Sequence, residues 1–145
     1  MHPNPLRTVA GCVAGTIMMT AMMYIVAPMM GLRMDIADML GSMLGNNWVA
    51  GMMMHFVNGT IIFPSIYAYL LYSRLPGGPT AKGTVWGVIL WVLAQVVAMP
   101  MMGGGFFSMA MGGTMAAVGS LVGHLLYGSI LGAIAGAPEA RAVTA

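Results

Sequence analysis

The stretch from Gly83 to Gly103 reads GTVWGVILWVLAQVVAMPMMG, twenty-one residues without a charge. It is long enough to cross a bilayer, because a membrane helix needs about 20 apolar residues. The stretch from Gly11 to Gly31 reads GCVAGTIMMTAMMYIVAPMMG and matches it without a gap at eight of twenty-one positions. The shared positions include two glycines four residues apart and the ending PMMG. This correspondence predicts two membrane helices of common origin.

Two more apolar stretches complete a pattern of four spans. We predict transmembrane helices over about 8–30, 48–72, 84–102 and 114–137. His55–Ile62 (HFVNGTII) corresponds to His124–Leu131 (HLLYGSIL), so the second and fourth spans also match. The predicted fold is an all-α membrane protein with a single membrane domain over 1–145. Its four helices form two tandem parallel helical-hairpin repeats, about 8–72 and 83–137, in the same orientation because each repeat crosses the membrane twice.

The composition requires lipid as the main solvent. Only eight of the 145 residues carry a formal charge and 59% are hydrophobic, whereas a soluble domain has about a quarter charged residues. The net charge of +2 is too small to indicate nucleic-acid binding. Cys12 is the single cysteine, which excludes an internal disulfide. No apolar segment precedes it, so we expect no cleaved signal peptide.

The cations favour one topology. Arg7, Arg74, Lys82 and Arg141 lie at the two ends and in the middle loop, whereas Arg33 lies in the first loop. Positive charges accumulate on the cytoplasmic side of membrane proteins. The sequence therefore predicts a multi-pass protein of the prokaryotic inner (cytoplasmic) membrane, with both termini cytoplasmic and the first and third loops periplasmic.

The first loop contains a short amphipathic segment, Met34–Leu44. Its apolar residues recur at helical spacing, and Asp35, Asp38 and Ser42 share the opposite face. This pattern is typical of a helix on a membrane surface. We predict a short periplasmic amphipathic helix, which is either a connector or an acidic docking site for a partner.

Two histidines lie at corresponding places inside the spans. His55 in the second span and His124 in the fourth are each followed four residues later by a glycine, Gly59 or Gly128. An ionisable residue within a membrane indicates a functional site. The pair is a candidate set of axial ligands for haem b, with the glycines leaving space for the macrocycle. Quinone or lipid between the helices is left open. The structural alternative is that each ring bonds a nearby polar group: Thr60, Ser120, Asn58 or a carbonyl.

The nineteen methionines suggest a second cofactor. Met18 and Met22, and Met19 and Met23, form two overlapping pairs four residues apart. Thioethers are soft ligands that suit Cu(I), although methionine is also a flexible apolar filler. The spans contain no carboxylate for a proton relay and no nucleophile–base set. We therefore expect no catalytic activity of the chain's own.

Small residues and prolines predict how the helices pack and end. Glycines four apart let helix backbones approach closely in lipid, and such sets are Gly11/Gly15, Gly83/Gly87, Gly119/Gly123 and Gly128/Gly132/Gly136. Pro28 and Pro100 lie near the ends of the first and third spans. Each is expected to kink or end its helix. Gln95 and Asn58 are expected to form hydrogen bonds between helices.

Three segments carry a resemblance to known proteins. They are KGTVWG from Lys82, MPMMGGG from Met99 and HLLYGSILG from His124. Together they resemble a group of small prokaryotic four-helix membrane proteins, a domain family of unknown function associated with respiratory haem–copper oxidases. The resemblance implies an accessory, non-catalytic subunit of a respiratory membrane complex, with a terminal oxidase as the expected partner. A bis-histidine b-type cytochrome and a Cu(I) handling or insertion factor are the alternatives.

Overall fold

The computed structural model describes residues 3–136, which form helices and connecting turns without a strand. The helices are α1 (Pro5–Met29), α2 (Ile36–Ser42), α3 (Trp48–Leu71), α4 (Pro79–Met101) and α5 (Gly113–Ala135). All but α2 are long and apolar enough to cross a membrane, so the four predicted spans are confirmed. The repeats and the side of the membrane on which α2 lies stay predictions. Arg141 lies outside the described residues.

Short polar side chains begin three of the helices. Asn4, Asp35 and Asn47 each accept a hydrogen bond from the backbone N–H three residues later, at 3.0–3.1 Å. These bonds satisfy N–H groups that have no partner within the first turn of a helix. The starts of α1, α2 and α3 are therefore encoded locally.

Three membrane helices widen into a π-helical turn just before a proline. The turns are Met22–Val26 in α1, Asn58–Ile62 in α3 and Ala94–Ala98 in α4, and they end two residues before Pro28, Pro64 and Pro100. In each, the residue preceding the proline donates its N–H to the carbonyl five residues earlier. A proline ring would collide with the carbonyl four residues back in a regular α-helix, and the wider turn removes that collision. As predicted, α1 and α4 end one residue after their prolines.

Helix α5 is the central helix and packs against both α1 and α4. A Cβ at Gly83 of α4 would overlap the carbonyl oxygen of Gly128. A Cβ at Gly15 of α1 would lie 3.0 Å from the carbonyl oxygen of Tyr127. Backbone-to-backbone contacts of this kind need glycine. Gly11 and Gly87 occupy equivalent places in the same two interfaces.

The predicted Gly119/Gly123 pair does not mediate such a contact. The atoms nearest to a Cβ at these positions lie 3.6 and 3.5 Å away, on the side chains of Leu32 and Met19. That is ordinary van der Waals distance. This end of α5 therefore faces side chains instead of a neighbouring backbone.

The two halves of the bundle are packed differently. The half nearer the middle loop has a solid core, in which the rings of Tyr67 and Trp86 stack with centroids 6.4 Å apart. The buried members of this core are Cys12, Tyr67, Tyr72, Trp86, Leu90, Tyr127, Leu131 and Ala135. The half nearer the first and third loops is hollow, and it contains both histidines of the spans.

Candidate functional site

A cavity of about 470 Å³ lies between the four membrane helices in the hollow half. Ligand sites in proteins typically measure about 300–1,000 Å³. Methionine is the commonest residue of its walls, with ten members: Met19, Met23, Met34, Met39, Met43, Met54, Met99, Met101, Met102 and Met111. Methionine side chains are flexible and polarisable, so walls of this kind adapt to the shape of an apolar ligand.

The π-helical turns contribute residues to this cavity. Met23, Asn58 and Gln95 come from the turns of α1, α3 and α4, and all three line it. Turns of this kind occur often at functional sites, because the extra residue changes the direction of the side chains around it. The prolines that require the turns therefore also shape the cavity wall.

Helix α2 forms one end of the cavity. Its apolar residues Ile36, Met39 and Leu40 line the cavity, so this face covers the hollow half of the bundle, whereas the sequence suggested that it rests on lipid. Close contact with α3 holds it there, since a Cβ at Gly51 would overlap the carbonyl oxygen of Ala37. The short helix is thus part of the bundle.

Asp35 fixes the start of α2 to two membrane helices. Its carboxylate accepts hydrogen bonds from the Tyr24 hydroxyl of α1 and from the Trp48 indole N–H of α3, the latter at 3.1 and 3.2 Å. It also accepts the N–H of Asp38 at 3.0 Å. Partial burial disfavours the charged form, but the hydrogen bonds from Tyr24, Asp38 and Trp48 outweigh it and lower the pKa of this carboxyl.

His124 presents a defined tautomer to the cavity. Its Nδ1 lies 2.8 Å from the carbonyl oxygen of Ser120. A carbonyl can only accept, so Nδ1 carries the hydrogen and the neutral ring leaves Nε2 as an acceptor. Nε2 has no hydrogen-bond partner among residues 3–136. Ser120 was among the partners suggested for either ring, and its bond to His124 is made within α5.

His55 is held by a threonine of α1. Its Nε2 lies 3.0 Å from Thr20 Oγ1, which itself lies 2.7 Å from the carbonyl oxygen of Thr16. The Thr16 carbonyl can only accept, so the single hydroxyl hydrogen of Thr20 lies on that contact, and His55 Nε2 is then the donor and Nδ1 the acceptor. The sequence suggested Thr60, Ser120, Asn58 or a carbonyl as the partner of either ring. The Thr60 hydroxyl instead donates to the carbonyl of Phe56 at 2.6 Å.

Gln95 joins α4, α5 and the third loop. The Ser108 hydroxyl donates to Gln95 Oε1 at 2.8 Å, and Gln95 Nε2 donates to Ser120 Oγ at 3.3 Å. Gln95 and Ser108 are each 1% exposed. The predicted role of Gln95 as a partner between helices is confirmed. Sequence reasoning missed Ser108, because nothing about a serine in a glycine-rich loop indicates burial.

Of the two glycines suggested as space for a macrocycle, Gly59 lines the cavity and Gly128 does not. A Cβ at Gly59 would overlap the Thr16 side chain, and Gly128 packs against the backbone of α4 at Gly83. The described structure does bring His55 and His124 to one cavity. His124 is suited to be an axial ligand of haem, because its Nε2 is free and its Nδ1–H is held by a carbonyl. His55 would have to release Thr20 to offer the same nitrogen.

The four methionines suggested for Cu(I) do not share one site. Met19 and Met23 line the large cavity, and together with Met22 they also line a second cavity of about 150 Å³ between α1 and α5. Met18 is 44% exposed and lines neither cavity. Within residues 3–136, no group of three His, Cys, Asp or Glu side chains is placed to hold a metal ion.

Comparison with known proteins identifies a family without an assigned activity. A family model described as "Family of unknown function (DUF6789)" matches residues 3–144, nearly the whole chain. No curated protein and no solved structure matches the chain. This match does not link the chain to haem–copper oxidases.

Proposed function

The chain belongs to the family of unknown function DUF6789, and we propose that it is an integral membrane accessory protein that holds an apolar ligand between its helices. One observation carries this proposal: a methionine-walled cavity of about 470 Å³ that also contains two histidines. Cavities with apolar walls and a few convergent polar groups are the usual form of small-molecule sites. The partly apolar outer faces of the spans suit contact with lipid or with other membrane helices.

The partner complex is a separate part of the proposal. We propose a respiratory complex as the partner, and a terminal oxidase as the first candidate among such complexes. This part rests on the resemblance of the segments around Lys82, Met99 and His124. Mild detergent extraction followed by electrophoresis of the intact complexes tests it. Co-migration with oxidase subunits is expected, and a monomer or homodimer in every gentle extraction would refute this partner.

The proposed topology has both termini and the middle loop in the cytoplasm, as the cation distribution favours. Two tandem repeats are supported by the π-helical turns of α1 and α4. Residues 22–26 and 94–98 are offset by 72 residues, the same offset that aligns their sequences. The corresponding prolines, Pro28 and Pro100, follow that offset. Fluorescent tags on each terminus and in the middle loop test the orientation.

A haem b held by His55 and His124 is the second candidate. It is favoured by one observation, that both imidazoles line the same cavity. Bound haem would supply one-electron transfer, and Arg33, which also lines the cavity, would be available to a propionate. This candidate comes second because His55 would have to give up its hydrogen bond to Thr20 to offer Nε2 to the iron. A Cu(I) site on the first helix has less support, because Met18 lies apart from Met19 and Met23.

Native mass spectrometry of gently purified protein, together with reduced and oxidised visible spectra, tests the ligand-holding function. We expect a small apolar molecule bound to the chain and no haem absorption. A reduced b-type band that is lost in both His55→Ala and His124→Ala would favour the second candidate. A chain free of any bound molecule, which also takes up none of the added ligands, would refute the proposal.

A further inference from the structure

The hydrogen bonds of the two histidines determine what the cavity can recognise. His124 donates through Nδ1 to the Ser120 carbonyl and His55 donates through Nε2 to Thr20. The second nitrogen of each ring has no hydrogen-bond partner among residues 3–136. In a neutral imidazole, that second nitrogen is an acceptor. Both histidines therefore need a donor from whatever fills the cavity.

The surroundings favour neutral rings. The described cavity wall contains no Asp or Glu side chain, and its charged member is Arg33. An imidazolium here would lie in an apolar cavity without an anion and would share it with another cation. The acceptor nitrogens therefore remain unprotonated. The side-chain amide of Asn58 also lines the cavity, and it can both donate and accept a hydrogen bond. It therefore does not distinguish a ligand with a donor group from a ligand with an acceptor group.

The walls favour an aromatic body for the ligand. Ten methionines line the cavity, and thioether sulfur makes favourable contacts with aromatic rings. Phe63 and Leu90 add flat and branched apolar surface to the same walls. A planar ring with alkyl substituents would fill such a space and still bring a polar group to His124.

From these observations, we propose that the cavity selects a hydroxyl-bearing aromatic ligand of the alkylphenol or hydroquinone class, whose O–H donates to His124 Nε2. This inference rests on the proposed ligand-holding function and names the chemistry of the ligand. The corresponding quinone or methyl ether presents only acceptor oxygens to that nitrogen. Binding either one would leave the lone pair of Nε2 buried without a donor, which weakens binding by about tenfold or more.

Three probes that share a tetramethylated six-membered ring test this selection: the hydroquinone, the benzoquinone and the hydroquinone dimethyl ether. Their affinities for the full chain in detergent are measured by isothermal titration calorimetry, with the hydroquinone kept anaerobic. We expect the hydroquinone to bind at least tenfold more tightly than the other two. In His124→Phe, which keeps a ring but removes the acceptor, we expect the hydroquinone to lose its advantage, because no acceptor nitrogen is left to distinguish the three probes.

Nitrogen-15 spectra of the wild-type imidazoles give a second readout that does not depend on a variant folding. Hydroquinone should shift the His124 Nε2 resonance towards the hydrogen-bonded value, and the dimethyl ether should not. Equal affinities of the three probes, or an unshifted Nε2 resonance in the hydroquinone complex, would overturn the inference and leave the ligand-holding function standing. If no probe binds and native mass spectrometry finds no bound molecule, the proposed function itself fails.

Discussion

At the scale of single residues, Asp35 connects more elements than any other charged side chain of the described chain. It caps α2 and accepts hydrogen bonds from Tyr24 and Trp48. We expect Asp35→Ala to lower the free energy of unfolding by about 1–2 kcal/mol, because a cap and two further bonds are lost. Thermal unfolding in detergent measures the loss, and hydrogen exchange should locate it in α2. Asp38→Ala removes the same charge without those bonds and should change little.

The pH dependence of the same residue has a definite sign. The pKa of Asp35 is lowered in the folded chain, so the unfolded state binds the proton more readily. The stabilisation by Asp35 is complete above its pKa in the unfolded chain, about 4, and is lost as the pH falls through the lower folded value. The difference in melting temperature between wild type and Asp35→Ala should therefore narrow in acid. A constant difference from pH 7 to pH 3 would contradict this.

The sequence identified the two histidines but not all of their partners. Their positions four residues before a glycine were visible, and Ser120 was one of the partners suggested for either ring. Thr20 was not expected as the partner of His55, because it lies on another helix. Sequence periodicity indicates which face of a helix is apolar, but the rotation of one helix against its neighbour comes from packing.

At the scale of helices, composition predicted the spans and the prolines predicted two of their ends. The π-helical turns were not predicted, since a proline can be accommodated by a kink, an end or a wider turn, and the neighbouring helices decide between them. The apolar face of α2 was recognised as well. Its place over a cavity was missed, because amphipathicity does not tell whether lipid or protein covers the apolar face.

Two glycine-to-alanine variants separate close backbone contact from simple helix propensity. Gly83→Ala would push a Cβ into the backbone of α5, and we expect it to destabilise the fold by about 1–3 kcal/mol. Gly119→Ala adds the same methyl group where the nearest atom is a side-chain carbon at 3.6 Å. It should be neutral or stabilise the fold by up to about 1 kcal/mol, because alanine favours the helix. Unfolding in mixed micelles of increasing SDS content measures both, and equal losses would refute the packing argument.

At the scale of the whole molecule, the proposed duplication does not make the two hairpins equal. The first helix of each hairpin, α1 or α4, carries a π-helical turn and a proline at matching positions. The second helices differ, since α3 contains Pro64 and two π-helical turns whereas α5 is a regular helix over 23 residues. The straight α5 can therefore pack along both α1 and α4. The alignment of the two halves of the sequence showed how similar the hairpins are. The central place of α5, however, depends on its lack of the proline and π-helical turns that α3 has.

Because one half of the bundle is solid and the other is hollow, an alanine-to-leucine substitution should have opposite effects on stability in the two halves. Ala94 lines the cavity, so Ala94→Leu extends an apolar side chain into the cavity and should raise the melting temperature of the ligand-free chain. Ala135 is fully buried in the solid core, and Ala135→Leu should lower stability by about 1–3 kcal/mol through overpacking.

Because the larger side chain of Ala94→Leu would occupy the ligand's space, the stabilised variant should also lose affinity for an apolar aromatic probe. A stabilised Ala94→Leu that binds the probe as tightly as wild type would place the ligand elsewhere, and a destabilised one would indicate that this space is needed for the fold.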